Sequence, residues 1–158
     1  MEVVIIVIGL KIKIKNEYRN YLEKIFSPVH LLQYKWEILT DDILYRENGQ
    51  LEQGLFEIGF LDGDSFKKAI SRENHYLIFV DIRAYPCNAN IANIQTFEDF
   101  MKSECQILFM CWDSSYVNIY CKDKKILEAL YSNCNKFSCE PVSYISMEQA
   151  KGRTLVAF

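Results

Sequence analysis

The chain has 158 residues, half of them apolar and a quarter charged, with a formal net charge of −3. That length allows one sizeable core and leaves no room for two ordinary domains, and the slight acidity supplies no basic field along which a nucleic-acid backbone could be tracked. Six glycines and three prolines against ten tyrosines and ten phenylalanines exclude long disordered tracts, so a single globular domain over 1–158 is expected.

MEVVIIVIGL opens the chain with an apolar run after Glu2. It has no cationic start and no small-residue cleavage site, and it is too short to span a bilayer. Its β-branched residues predict a buried strand, whose second half emerges in KIKIK with Lys11, Lys13 and Lys15 on one wet face. The other basic residues are scattered. Asn16 is expected to cap a helix gathering Tyr18, Tyr21, Leu22, Ile25 and Phe26 on one stripe and ending at Ser27-Pro28.

Short strands are predicted from Tyr34 to Leu39 and from Ile43 to Tyr45, around a turn at Thr40-Asp41-Asp42. Asn48-Gly49 is a type I′ turn signal with polar flanks, hence an exposed hairpin. LFEIGF (55–60) reads as a further strand, and Asp62 introduces a short helix with Phe66, Ala69 and Ile70 inward. HYLIFVDIRAYP (75–86) is the central strand, stopped by Pro86, and 86–95 forms the longest irregular loop.

Thr96 and Asp99 approximate a capping box for a helix through Phe97, Phe100 and Met101. QILFMCW and YVNIYC are strands of a hairpin, and Asp123 caps a helix with Ile126, Leu127, Leu130, Tyr131 and Cys134 inward. VSYIS is a strand, Ser146 and Gln149 cap a last turn ended by Gly152, and RTLVAF is expected as an edge strand. Helices interleaved with hairpins predict an α+β fold, a single-domain sandwich of a mainly antiparallel sheet with about four helices.

The six cysteines (87, 105, 111, 121, 134 and 139) are expected as reduced, mostly buried thiols, because a chain of this size without an export signal has no need of disulfides. In CWDSSYVNIYC, a two-residue turn sends Cys111 and Cys121 to opposite faces of the hairpin. A three-residue turn, Asp113-Ser114-Ser115, sets Cys121 opposite Ile107 and leaves the thiols on one face roughly 13 Å apart. Neither register meets the roughly 7 Å limit for a bridge. Cys134 and Cys139 have the spacing of half a zinc site without a second half, and neither His30 nor His75 is near a cysteine in sequence. No metal or cofactor is implied.

Asp81 is the polar residue that sits badly with its surroundings, on the same strand face as Leu77, Phe79 and Arg83 in regular alternation. The first reading has Asp81 and Arg83 emerging into solvent before Pro86. The second is a ligand pocket at the strand's carboxyl end, lined by the 86–95 loop. Asp113 with its two serines reads first as a hairpin turn and second as part of such a site, so Asp81, Arg83 and Asp113 are the candidate ligand-binding residues. Trp36 and Trp112 are read as core ahead of interface.

DSSYVNIYCKDK, NYLEKIF, YLIFVDIRAYP and the closing GRTL resemble a family of small uncharacterised bacterial cytoplasmic proteins, a domain of unknown function. The resemblance spans nearly the whole chain and implies a bacterial, single-domain, cytoplasmic protein, with no catalytic residue carried over. The first functional expectation is a non-enzymatic protein that binds a protein partner, of the kind of small acidic immunity proteins, with neither nucleic acid nor membrane as partner. A contiguous patch of Tyr and Trp ringed by Asp and Glu would strengthen it. The alternative is a small-molecule binder or enzyme with a pocket near Asp81, Arg83 and Asp113.

Overall fold

A computed structural model describes residues 2–56, 59–72 and 74–156. In chain order the elements are β1 (Val7–Lys13), α1 (Tyr21–Phe26), a 3-10 turn (Leu31–Gln33), β2 (Tyr34–Glu47), β3 (Gln50–Gln53), β4 (Gly59–Leu61), α2 (Gly63–Ile70), β5 (His75–Pro86), α3 (Phe97–Lys102), β6 (Ile107–Trp112), β7 (Tyr116–Cys121), α4 (Lys124–Cys134), β8 (Ser143–Ser146) and α5 (Met147–Ala150). The strands form one sheet in the order β3-β2-β5-β6-β7-β1-β8, with β4 beside β2, and every named pairing is antiparallel. The fold is therefore α+β on a large antiparallel sheet.

Alternate strand residues separate into two apolar clusters, as the two-residue period of a strand requires. Leu10, Ile12, Trp36, Ile82, Phe109 and Ile119 pack with Leu22, Ile25 and Phe26 of α1, Phe66 of α2, and Leu127 and Leu130 of α4. Leu108, Met110, Tyr120 and Ile145 pack with Phe97 and Phe100 of α3, Ala150 of α5, Ala89 and Ile94 of the 86–95 loop, and Leu155.

The predicted caps are present. Asp62 accepts from Ser65 N, Asp123 from Lys125 N and Ile126 N, and Thr96–Asp99 and Ser146–Gln149 close as capping boxes. Asn48 and Gly49 turn β2 into the exposed β3 with φ of 51° and 77°.

Several expectations are corrected. Val3, Val4, Ile5 and Ile6 are 86, 79, 72 and 56 % exposed rather than in a buried strand. The cause is topological: β8 gives way to α5 opposite Val7, and β7 ends at Cys121, so the strand pairing stops at Val7, and the last backbone bond on that side is the one Ile6 O accepts from Met147 N. Asn16 does not cap α1. It accepts from the Ser115 hydroxyl, while the helix begins at Tyr21 after Asn20. The two short strands at 34–45 are one strand, because the Asp41 carboxylate is used across the sheet edge, accepting from Leu55 N at 2.9 Å and Phe56 N at 2.6 Å. Of the 55–60 strand, residues 57 and 58 lie outside the described residues and only Gly59–Leu61 is paired. Residues 153–156 are not an edge strand: Thr154 bridges to Thr96, Leu155 is buried under the sheet's second cluster, and residues 157 and 158 lie outside the described chain.

Candidate ligand groove

The sheet positions its polar groups through three bulges. In β1 the register slips between Val7 and Gly9, placing Ile8 in the second cluster while Leu10 stays in the first. Between β2 and β5, Ile38 pairs with Ile82 and the next pair is Thr40 with Asp81, so Leu39 is the extra residue. Asp42 pairs with Phe79 and Ile43 with Leu77, so Ile78 is the extra residue on the other strand. The second slip corrects the face expected for Asp81. Leu77 packs in the first cluster with Val80 and Ile82, whereas Asp81, Arg83 and Tyr85 point into the second.

There Asp81 and Arg83 are brought together, each 2 % exposed, rather than emerging into solvent. Arg83 Nε donates to Asp81 Oδ1 at 3.3 Å and Nη2 to Oδ2 at 3.5 Å, while Nη2 also reaches Leu155 O at 3.4 Å. Burial pushes the Asp81 carboxyl up and the guanidinium pulls it back. Glu37 stands directly across from Arg83, and its Oε1 is buried without a hydrogen-bond partner among the described residues. Its carboxyl too is raised by burial, lowered by Arg83 and raised by Asp81. Asp113 is not part of this cluster. It sits exposed at the β6–β7 turn with φ of 51°, the backbone that Asp tolerates there.

That turn has three residues, since Trp112 pairs with Tyr116 and Cys111 with Val117. Cys111 and Cys121 therefore share a face, both in the first cluster, and all six cysteines are free. Burial pushes the thiols of Cys105, Cys111 and Cys134 up to about 12 and that of Cys121 to about 11. Native protein should accordingly take up maleimide at two positions, the exposed Cys87 and Cys139, and at all six once unfolded. Intact-mass measurement showing a third native adduct would contradict this packing.

The open site lies further along the face that carries Arg83. One cross-strand row, Leu108, Tyr120, Gly9 and Ile145, is covered by α3 and α5. The next row is Met110, Asn118, Lys11 and Ser143, and the last is Trp112, Tyr116 and Lys13. Cover stops at Arg153, beyond which a groove of about 380 Å³ opens onto Lys11, Lys13, Trp112, Tyr116, Asn118 and Arg153. That volume is within the range of small-molecule sites, about 300–1,000 Å³.

Each wall has a local cause. β1 alternates, so Leu10 and Ile12 go to the core and Lys11 and Lys13 to the groove. Gly9 leaves room for the neighbouring Tyr120, since a Cβ there would lie 2.7 Å from Ile119 O and 3.1 Å from the tyrosine ring. Arg153 and Asn118 lie beside Tyr120 and offset the rise that burial gives its hydroxyl. Arg153 follows Gly152, whose φ is 73°, and is fixed through its backbone, with its N–H on Ala150 O and its carbonyl taking Phe97 N–H. Trp112 stacks on Tyr116 with centroids 5.8 Å apart, and Lys13 lies 5.8 Å from the Tyr116 centroid.

Lys13 also pairs with Glu140 at 3.3 Å, the carboxylate of the groove wall. Lys11 and Arg153 have no carboxylate within ion-pair distance among the described residues. A site that gathers three cations and two large aromatic rings around one carboxylate is suited to holding an anion. The KIKIK alternation signalled half of it. Arg153 and Trp112 join it only through the fold. Among the described residues no group of three or more His, Cys, Asp or Glu is placed to hold a metal ion, and no helix is long and apolar enough to cross a membrane.

Comparison with known proteins places the chain. No solved structure matches it. It is 33 % identical over 141 residues to the "Uncharacterized protein YncE" of Bacillus subtilis (strain 168), an alignment covering 89 % of this chain and 92 % of the relative. The family described as "Protein of unknown function (DUF2691)" matches residues 7–156, which takes in the whole sheet and every residue of the groove and leaves out exposed Val3–Ile6. The chain belongs to this bacterial family of proteins of unknown function.

Proposed function

We propose that this is a non-enzymatic binding protein whose ligand is a small anion held in the groove between β1, the β6–β7 hairpin and the segment after α5. One observation carries the reading: in a chain of net charge −3, Lys11, Lys13 and Arg153 converge on one hollow whose single carboxylate among the described residues is Glu140. A local field opposite in sign to the net charge raises the concentration of anions at that spot.

The expected protein partner of an immunity-like molecule would be met by aromatic side chains ringed with carboxylates. Trp112 and Tyr116 stand among cations instead, which favours a small anionic ligand. Two groups that could do covalent or acid–base work are occupied structurally, which supports binding over catalysis: the buried thiols of Cys105 and Cys111 are held protonated, and both ring nitrogens of His75 are engaged by backbone groups. Asp81 and Arg83 adjoin the site on the same face of the sheet, since Asp81 pairs across the sheet with Met110, the end residue of the groove's row. The two apolar clusters support a layered sandwich as its scaffold, and six unpaired thiols suit a reducing cytoplasm.

Phosphorylated and carboxylated metabolites should raise the melting temperature, and their neutral analogues should not. The double variant Lys11→Glu/Arg153→Glu should weaken anion binding by about tenfold to a hundredfold, as expected for losing charged hydrogen bonds. Glu140→Gln frees Lys13 and should tighten binding by about two- to fivefold, the scale of an exposed ion pair. Calorimetric affinities unchanged by both substitutions would remove the groove as the site.

A further inference from the structure

We propose that the ligand is bipartite, an oxyanion joined to a flat aromatic ring, with its charge on Lys11 and Arg153 and its ring against Trp112 and Met110. The inference rests on the groove reading above and adds the chemistry of the ligand's other half. It is carried by a second hollow of about 240 Å³ adjoining the first and sharing Trp112, Asn118 and Arg153 with it. The walls that belong to this hollow alone are Met110, Tyr120, Thr154 and Val156. Its one charged lining group among the described residues is Arg153, so the two hollows differ in character: one has three cations and the other is a mostly uncharged slot.

A ligand spanning both must touch Trp112 and pass Arg153. Each of these prefers a ring to an alkyl chain, the indole through aromatic contact and the guanidinium through its flat cationic face. Met110 adds a polarisable thioether suited to a ring edge. A bare phosphate would leave the smaller slot empty, and an uncharged ring would leave Lys11 and Arg153 unused. Nucleoside monophosphates and aromatic carboxylates share the required chemistry.

Tryptophan fluorescence separates these cases because the protein's other indole, Trp36, is 0 % exposed and stacked on Phe66 with centroids 3.9 Å apart. A ligand-induced change therefore reports Trp112. The full chain would be titrated with adenosine 5′-monophosphate and benzoate, with the ring-free or non-aromatic anions ribose 5-phosphate and cyclohexanecarboxylate, and with uncharged adenosine. At least one ring-bearing anion should bind about tenfold more tightly than its counterpart without the aromatic ring. Which of the two does so identifies the anionic group.

By calorimetry, Trp112→Leu should abolish that advantage and Trp112→Phe should keep it, which distinguishes loss of the ring contact from loss of the fold. Equal affinity for ribose 5-phosphate and adenosine 5′-monophosphate, and for the two carboxylates, would overturn the bipartite ligand while leaving the anion groove in place. Absence of binding by every anion, or binding undiminished in Lys11→Glu/Arg153→Glu, would overturn both.

Discussion

Arg83→Met is expected to destabilise the fold by about 3–5 kcal/mol, the scale for removing one partner of a buried ion pair. For a chain of this size that is a drop of roughly 6–20 °C in melting temperature. Among the described residues the guanidinium is the one cation paired in the cluster, bonded to Asp81 at 3.3 Å and facing Glu37 across the strand pair. Without it, two carboxylates share an apolar interior with no counter-charge, and Leu155 O loses its donor. Asp81→Asn should cost less, because Arg83 keeps Glu37 as its partner. The double variant Asp81→Leu/Arg83→Met should be less damaging than Arg83→Met alone, since only the half-buried Glu37 then remains charged.

The pH dependence of this variant has a definite sign. Burial already raises both carboxyls above their ordinary values of 3.8 and 4.5, and Arg83 is the group that lowers them. Removing it drives both further up. An acid whose pKa is raised on folding favours the folded state most below its unfolded pKa and loses that contribution as pH climbs through the folded value. The deficit of Arg83→Met relative to the parent protein should therefore shrink as pH falls from 7 toward 4. Urea denaturation at several pH values measures it. A deficit below about 1 kcal/mol, or one that does not change with pH, would show that the pair is not what holds this cluster.

The features the sequence declared were those set locally. The helix caps at Asp62, Thr96, Asp123 and Ser146 each depend on residues within three positions, and all four close as expected. The turn at Asn48-Gly49 and the alternation of KIKIK are local in the same sense. What depends on a distant partner was not legible. The bulges at Ile8, Leu39 and Ile78 are set by neighbouring strands, and the one at Ile78 put Asp81 on the face opposite Leu77. Asp41-Asp42 has the composition of a turn, yet the Asp41 carboxylate is engaged by two amides fourteen and fifteen residues on. Half of the groove was visible as Lys11 and Lys13. Its other half needed the segment after α5 to cross the sheet, which no residue pattern announces.

His75 belongs to the same class, and its expected effect is large. Lowering pH from 7 to 4 should remove about 3 kcal/mol of stability through this one side chain. The Asn20 side chain caps no amide of α1, its Nδ2 donating instead to Glu23 Oε1; His75 Nε2 lies 3.5 Å from Leu22 N, in reach of one of the helix's free amides, while Nδ1 is 3.3 Å from Arg72 O. An N–H at Nδ1 and a lone pair at Nε2 satisfy both contacts, so the neutral ring fits. The imidazolium would present a second N–H to the Leu22 amide and a positive charge to a helix N-terminus.

Burial thus lowers its pKa from the ordinary 6.5 to about 4. In the unfolded chain the ring takes up a proton below about 6.5, so its stabilising contribution is complete above that pH and is lost as pH falls toward 4. His75→Gln retains an acceptor for the Leu22 amide and cannot titrate, so the stability difference between parent and variant should narrow steadily across this window. A proton NMR titration of the His75 ring with a midpoint near 6.5, or a stability difference constant from pH 7 to 4, would contradict a neutral ring held at the helix start.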